Sequence, residues 1–162
     1  MQVRAVHRSR IAASTHGMTF IELAISLLIV GVLASIAVAG YQNYRERIRV
    51  NQAITDIAAM SVTVKHYMTD NTYPPASLSD VGYGNKIDPW GQPYFYLDLT
   101  SQNGKGKSRK DRKLNPLNTD FDLYSAGKDG ATQTQLNAPK SRDDVIRARD
   151  GKFVGLASDF DP

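Results

Sequence analysis

The sequence predicts an α+β protein: one long N-terminal helix, apolar over its first half and amphipathic over its second, packed on a small antiparallel β-sheet. Three observations carry this reading. Leu23 to Tyr41 is a run of nineteen residues whose only ionisable group is the Tyr41 phenol. From Val50 onward a stripe of Val50, Ile54, Ile57, Ser61, Val64 and Met68 recurs at spacings of three and four, the period of a single helix face. Beyond it, short runs rich in aromatic and β-branched residues alternate with Gly, Pro and Asp turns.

In helical geometry the nineteen-residue run spans roughly 28 Å, close to the hydrocarbon thickness of a bilayer, and is a membrane-helix candidate. No proline interrupts residues 18–73, and Asn71-Thr72-Tyr73-Pro74-Pro75 is a stop signal. One helix is therefore expected from about Thr19 to Asp70. Gly31 and Gly40 weaken it by roughly 1 kcal/mol each relative to Ala.

Glu22 stands just inside the N-terminal edge of the apolar run. An ionised carboxylate there costs several kcal/mol in lipid unless a cation meets it. A cut between Gly17 and Met18 would place a new amino group about four residues away on this chain, and a neighbouring chain's terminus equally near.

The junction Gly17-Met18-Thr19-Phe20-Ile21-Glu22, behind a leader with Arg4, His7, Arg8 and Arg10 and no acid, resembles the class III signal of type IV prepilins and type II secretion pseudopilins. The resemblance implies cleavage after Gly17 by a prepilin peptidase, N-methylation of Met18, and a role for Glu22 as the assembly carboxylate. It also implies a pilin-like layout: leader 1–17, transmembrane and filament-core helix 18–44, and periplasmic α+β domain 45–162. The implied partners are further copies and other pseudopilins in a periplasmic filament, the peptidase, and an assembly platform in the inner membrane. Two alternatives stand beside this one. A type IV pilus subunit would carry the same signal, and Ala37-Val38-Ala39 before Gly40 is an acceptable signal-peptidase site, where a cut after Ala39 would release a secreted calcium-binding module.

Composition narrows the function classes. The formal charge of +4 includes Arg4, Arg8 and Arg10; without them 17 Lys plus Arg face 16 Asp plus Glu, so the basic balance is weak support for nucleic-acid binding. The absence of cysteine excludes disulfides, thiolate metal sites and a Cys nucleophile, and leans the resemblance toward the pseudopilin branch. About 115 residues beyond the membrane segment suffice for one core. His66 lies on the polar side of the helix, and no hydrolase elbow, phosphate loop or zinc-protease motif is present, which points away from an enzyme.

In the C-terminal part, Asp88-Pro89-Trp90-Gly91-Gln92-Pro93-Tyr94 reads as a rigid turn with Trp90 as a core plug. With Tyr73-Pro74 upstream, it resembles a signature of the major pseudopilin. Strand signals fall at Tyr94–Leu99, Phe121–Ser125 and Phe153–Ala157, the last within a tail that extends past the family's usual end. Residues 103–113 place six cations against one acid, which predicts a mobile solvated loop or a contact for an anionic partner.

Asp120, Asp122, Asp129, Asp143 and Asp144 flank a polar loop, and calcium takes six to eight oxygens; by spacing alone this is weak, since Asp beside Gly is common turn chemistry. The runs Asp122-Leu123-Tyr124-Ser125-Ala126-Gly127-Lys128-Asp129-Gly130 and Asp143-Asp144-Val145-Ile146 resemble a pseudopilin loop tied by calcium. That resemblance implies Asp129, with Asp143 or Asp144, and the Ala126 carbonyl as ligands.

Overall fold

In the computed structural model the described residues are 17–101, 104 and 106–161. They fall into two compact units that divide between Gln42 and Asn43. The leader before Gly17, and Asn103 and Lys105 of the basic stretch, lie outside the described residues.

A single helix, α1, runs Phe20–Asn71, within one residue of the limits expected from the apolar run and the proline stop. It ends where Thr72 turns left-handed (φ 63°) and donates its N–H to the Met68 carbonyl at 2.9 Å, ahead of Pro74 and Pro75. In the first unit, every described side chain from Phe20 to Val38 is exposed. The Ser26 and Ser35 hydroxyls donate to the Glu22 and Gly31 carbonyls at 2.7 and 2.8 Å, so these polar groups are satisfied one turn back along the helix. Among the described residues this is the one helix long and apolar enough to cross a membrane.

The second unit holds the remainder of α1 and four strands: β1 (Phe95–Asp98), β2 (Phe121–Ser125), β3 (Val145–Ala148) and β4 (Phe153–Leu156). They form one sheet in the order β1-β2-β3-β4, each pair antiparallel. The register sets Asp98 opposite Phe121, Tyr124 opposite Ile146, and Val145 opposite Leu156.

Side chains alternate across the strands, and both faces are covered. On one, Phe121, Leu123 and Val145 pack with Ala53, Ile57, Met60 and Val64 of α1 and with Leu78 and Tyr94. On the other, Ile146 and Ala148 pack with Leu117, Leu136 and Ala157. The buried helix stripe is rotated slightly from the expected one: Ala53 and Met60 join Ile57, Ser61 and Val64 as buried, while Val50, Ile54 and Met68 flank them. Ala53 is too small to weigh in a hydrophobic count, yet its size lets a sheet approach closely.

Strand β3 has no counterpart among the expected elements. Its third residue is Arg147, which reads as a break in an apolar run. In the fold Arg147 is buried against the Phe121 ring, its guanidinium carbon 3.9 Å from the ring centroid, and its fork reaches both Asp120 oxygens at 2.7 and 2.6 Å. Burial raises the Asp120 carboxyl pKa, but the Arg147 fork and the Phe121 N–H outweigh it and hold the carboxyl below its ordinary value. The tail after Arg147 contributes β4, as its apolar residues suggested.

One buried phenol, Tyr94, and one half-buried, Tyr96, make the second unit sensitive to base. Burial, and then the Asp56 carboxylate that its hydroxyl meets at 2.9 Å, push Tyr94 far above the ordinary phenol range. Burial, with Asp98 and Asp120 nearby, does the same to Tyr96. A phenol whose pKa is higher folded than unfolded contributes stability that is intact below about pH 10 and is lost as pH rises further, because the unfolded chain then releases a proton the folded chain retains. The thermal midpoint of the full chain in detergent should fall between about pH 10 and pH 11, with a shallower slope in Tyr94→Phe. A midpoint flat across that window in the unsubstituted protein would contradict this.

Candidate functional site

Two places hold the residues singled out by sequence, one in each unit. At the start of α1, Thr19 and Glu22 cap the helix reciprocally. The Thr19 N–H and hydroxyl both donate to Glu22 Oε2 at 2.8 Å, and the Glu22 N–H donates to Thr19 Oγ1 at 3.3 Å. This is the capping-box arrangement of a Thr followed three residues later by Glu. Glu22 thus also serves as a cap: its carboxylate accepts the Thr19 N–H, a backbone donor left open at the start of the helix. The Thr-x-x-Glu spacing ahead of an apolar run was the available signal. Gly17 and Met18 directly precede this cap and are exposed, so the atoms of the expected cleavage point are not shielded by the described residues.

The second place is the loop region between β2 and β3. Its organiser is Asp88, a buried carboxylate for which the sequence reading had no role. Asp88 Oδ1 accepts the Trp90 and Gln92 N–H groups at 3.0 and 2.8 Å, and Oδ2 accepts the Ser125 hydroxyl. Ser125 Oγ in turn accepts the Gly127 N–H at 3.1 Å. The turn around Trp90 is thereby joined to the end of β2. Trp90 itself is half-buried at the edge of the core, with its ring N–H donating to Glu46 at 2.9 Å, so it is an anchor between turn and helix more than a plug.

At Gly127 the backbone is left-handed (φ 65°), and a Cβ there would lie 2.2 Å from the Asp143 carbonyl oxygen. Only glycine allows the two strands of the loop to approach this closely. Across the same contact, the Asp129 N–H donates to Asp143 Oδ2 at 3.0 Å, and Asp129 Oδ1 accepts the Ala131 N–H at 2.7 Å. The structure therefore brings Asp129 and Asp143 together beside the buried Ala126-Gly127 backbone.

Asp144 is set apart from them. It is fully buried, and its Oδ2 accepts the Arg109 guanidinium and the Thr132 hydroxyl. Asp120 is committed to Arg147, as above. Asp122 is buried and accepts the Arg109 N–H at 2.7 Å and the Asn118 side-chain amide at 2.9 Å; burial pushes its carboxyl up despite these donors. Among the described residues no group of three or more His, Cys, Asp or Glu side chains is placed to hold a metal ion.

The basic stretch departs from its expected solvation. Lys107, Arg112 and Lys113 are exposed, but Arg109 is 3% exposed. Lys110 exchanges backbone hydrogen bonds with Thr134 and Leu136 at 2.9 and 3.0 Å. The partner is the acid beneath it: the Arg109 guanidinium meets the buried Asp144 carboxylate, and each charge would be costly to bury without the other.

Comparison with known proteins places these features in a lineage. The chain is 30% identical to the type II secretion system core protein G of Pseudomonas aeruginosa over 135 residues, covering 70% of this chain and 84% of that one. It is 29% identical to the core protein G of Aeromonas hydrophila, covering 73% and 86%. A fimbrial protein of Neisseria meningitidis is 26% identical over 83% of this chain and 79% of its own. No family model and no solved structure matches. A long N-terminal helix on a four-stranded antiparallel sheet, together with relatives of this length and identity, leads to one assignment: the chain belongs to the type IV pilin-like family, alongside the core protein G pseudopilins of type II secretion.

Proposed function

We propose that this chain is a structural subunit of a type II secretion pseudopilus. It is made as a membrane-anchored precursor, cut after Gly17, methylated on Met18, and drawn from the inner membrane into a short periplasmic filament. The observation that carries the reading is the exposure of every described side chain from Phe20 to Val38 on one helix. Water does not accept such a surface, so lipid must cover it first and the helices of other subunits afterwards.

Glu22 supplies the register in this reading. Its carboxylate already holds the Thr19 N–H, one residue from the amine that cleavage would create at Met18. A neighbouring subunit's Met18 amine, presented at the same depth, pairs with it, and any misregistered insertion leaves a charge unpaired in an apolar bundle. The role is mechanical, not catalytic.

The fimbrial relative favours a second reading, a subunit of a long surface pilus. Electron microscopy of cells that overproduce the chain separates the two. Short filaments confined to the periplasm, and loss of enzyme export on deletion, are expected; long sheared surface fibres with export intact would move the chain to the pilus class.

A further inference from the structure

We propose that Arg109 is the cation that ties the C-terminal loops of this chain together, in place of a bound calcium ion. Its guanidinium is buried and reaches the Asp144 carboxylate through Nη2 and the Thr132 hydroxyl through Nη1, the latter at 2.7 Å. Its plane lies over the Tyr124 ring, the guanidinium carbon 4.1 Å from the centroid. Its own N–H donates to Asp122 at 2.7 Å, and its carbonyl accepts the Leu117 N–H at 2.9 Å. One residue thus joins the β1–β2 connection, strand β2, the loop after β2, and the residue before β3.

The residues present do not suit calcium at Asp144. The ion asks for six to eight oxygens, whereas one Asp144 oxygen already accepts two donors and the other, Oδ1, is the single buried carboxylate oxygen without a partner among the described residues. A divalent ion there would also stand against the guanidinium charge at low dielectric, where like charges repel strongly. On the far side of the loop, the hydrogen bond from Asp129 to Asp143 closes the Gly127 contact through protein groups. A monovalent cation on a four-segment scaffold does the joining that a diffusible ion would otherwise do, and it cannot be withdrawn by a chelator. The planar fork matters, because only arginine meets a carboxylate and a hydroxyl from one group while stacking on a ring.

The test uses the full chain in detergent micelles and follows unfolding by Trp90 fluorescence. The unsubstituted protein should melt within about 1 °C of the same temperature in chelator and in millimolar calcium, and titration with calcium chloride should give no saturable heat. Arg109→Met should lower the midpoint by about 10 °C or more, since it strands a buried carboxylate. Arg109→Met with Asp144→Asn should regain at least half of that loss, because the stranded charge is gone. Arg109→Lys should fall between the single variant and the unsubstituted protein. Where Arg109→Met does not fold, the paired variant decides: folded supports the proposal, and unfolded overturns it. A calcium-dependent rise of several degrees in the unsubstituted protein, or an Arg109→Met midpoint unchanged, overturns it as well.

Discussion

Glu22→Gln should be processed and held in the membrane like the unsubstituted chain, yet enter filaments roughly a hundredfold less. Glutamine keeps the capping geometry, since it also reaches back to the Thr19 N–H from the third helical position, but it carries no charge. Glu22→Ala removes both. Loss of a cap costs about 1 kcal/mol, which a 52-residue helix seated in lipid absorbs with little change. Loss of a charge partner within the membrane removes roughly 3 kcal/mol of preference for the correct register, about two powers of ten in a partition constant. The two effects thus differ enough for the pair of variants to separate them. Filament yield measured by shearing and immunodetection should be low for both; normal yield from Glu22→Gln would mean that the carboxylate serves only as a cap.

The largest expected loss of folding stability is at Phe121. Its side chain is fully buried, 5.7 Å from the Tyr96 ring centroid and beneath the Arg147 guanidinium. It sits at the start of β2 in the face that receives α1. Phe121→Ala opens a cavity, strips the stacking partner from a buried arginine, and should cost about 3–5 kcal/mol, a large part of a domain's usual margin. Phe95 is the control. It is 38% exposed and stacked on Tyr124 at 5.1 Å, and its loss should cost about 1 kcal/mol. Thermal melting of the full chain in detergent should place Phe121→Ala well below Phe95→Ala. The reverse order would mean that the α1–sheet core is not what holds the second unit.

Most of the architecture was legible because it is written in punctuation and period. The helix ends where Pro74 and Pro75 forbid its continuation, and its buried face follows the three-and-four spacing of apolar residues. Strands β1, β2 and β4 follow aromatic and β-branched runs bounded by turns. What the sequence concealed is charge turned inward. Arg147 interrupts the β3 pattern, and Arg109 lies in a stretch where Lys107, Arg112 and Lys113 are exposed, so each looks like surface until Asp120 or Asp144 is seen beside it. Side-chain ion pairs between segments more than 25 residues apart leave no local period to read. Glu22 is the opposite case: its Thr-x-x-Glu spacing is a local signal for the cap it completes.

The loop between β2 and β3 was legible in part. Gly127 and Asp129 stand together with Asp143, two runs that the resemblance, and not their spacing, linked, while adjacent Asp144 is buried against Arg109. Asp143 lies in a turn and Asp144 leads into β3, so their side chains leave the backbone in different directions. Two neighbouring aspartates at a strand's start therefore serve different partners.

The proposed assembly mechanism rests on cleavage after Gly17, which would give Glu22 an amine to meet. Intact-mass analysis with N-terminal peptide mapping, on protein extracted from cell membranes and from sheared filaments, measures it directly. The expected species begins at Met18 and carries one added methyl group. Functional filaments built from chains that retain residues 1–17, or that begin at Gly40, would contradict it.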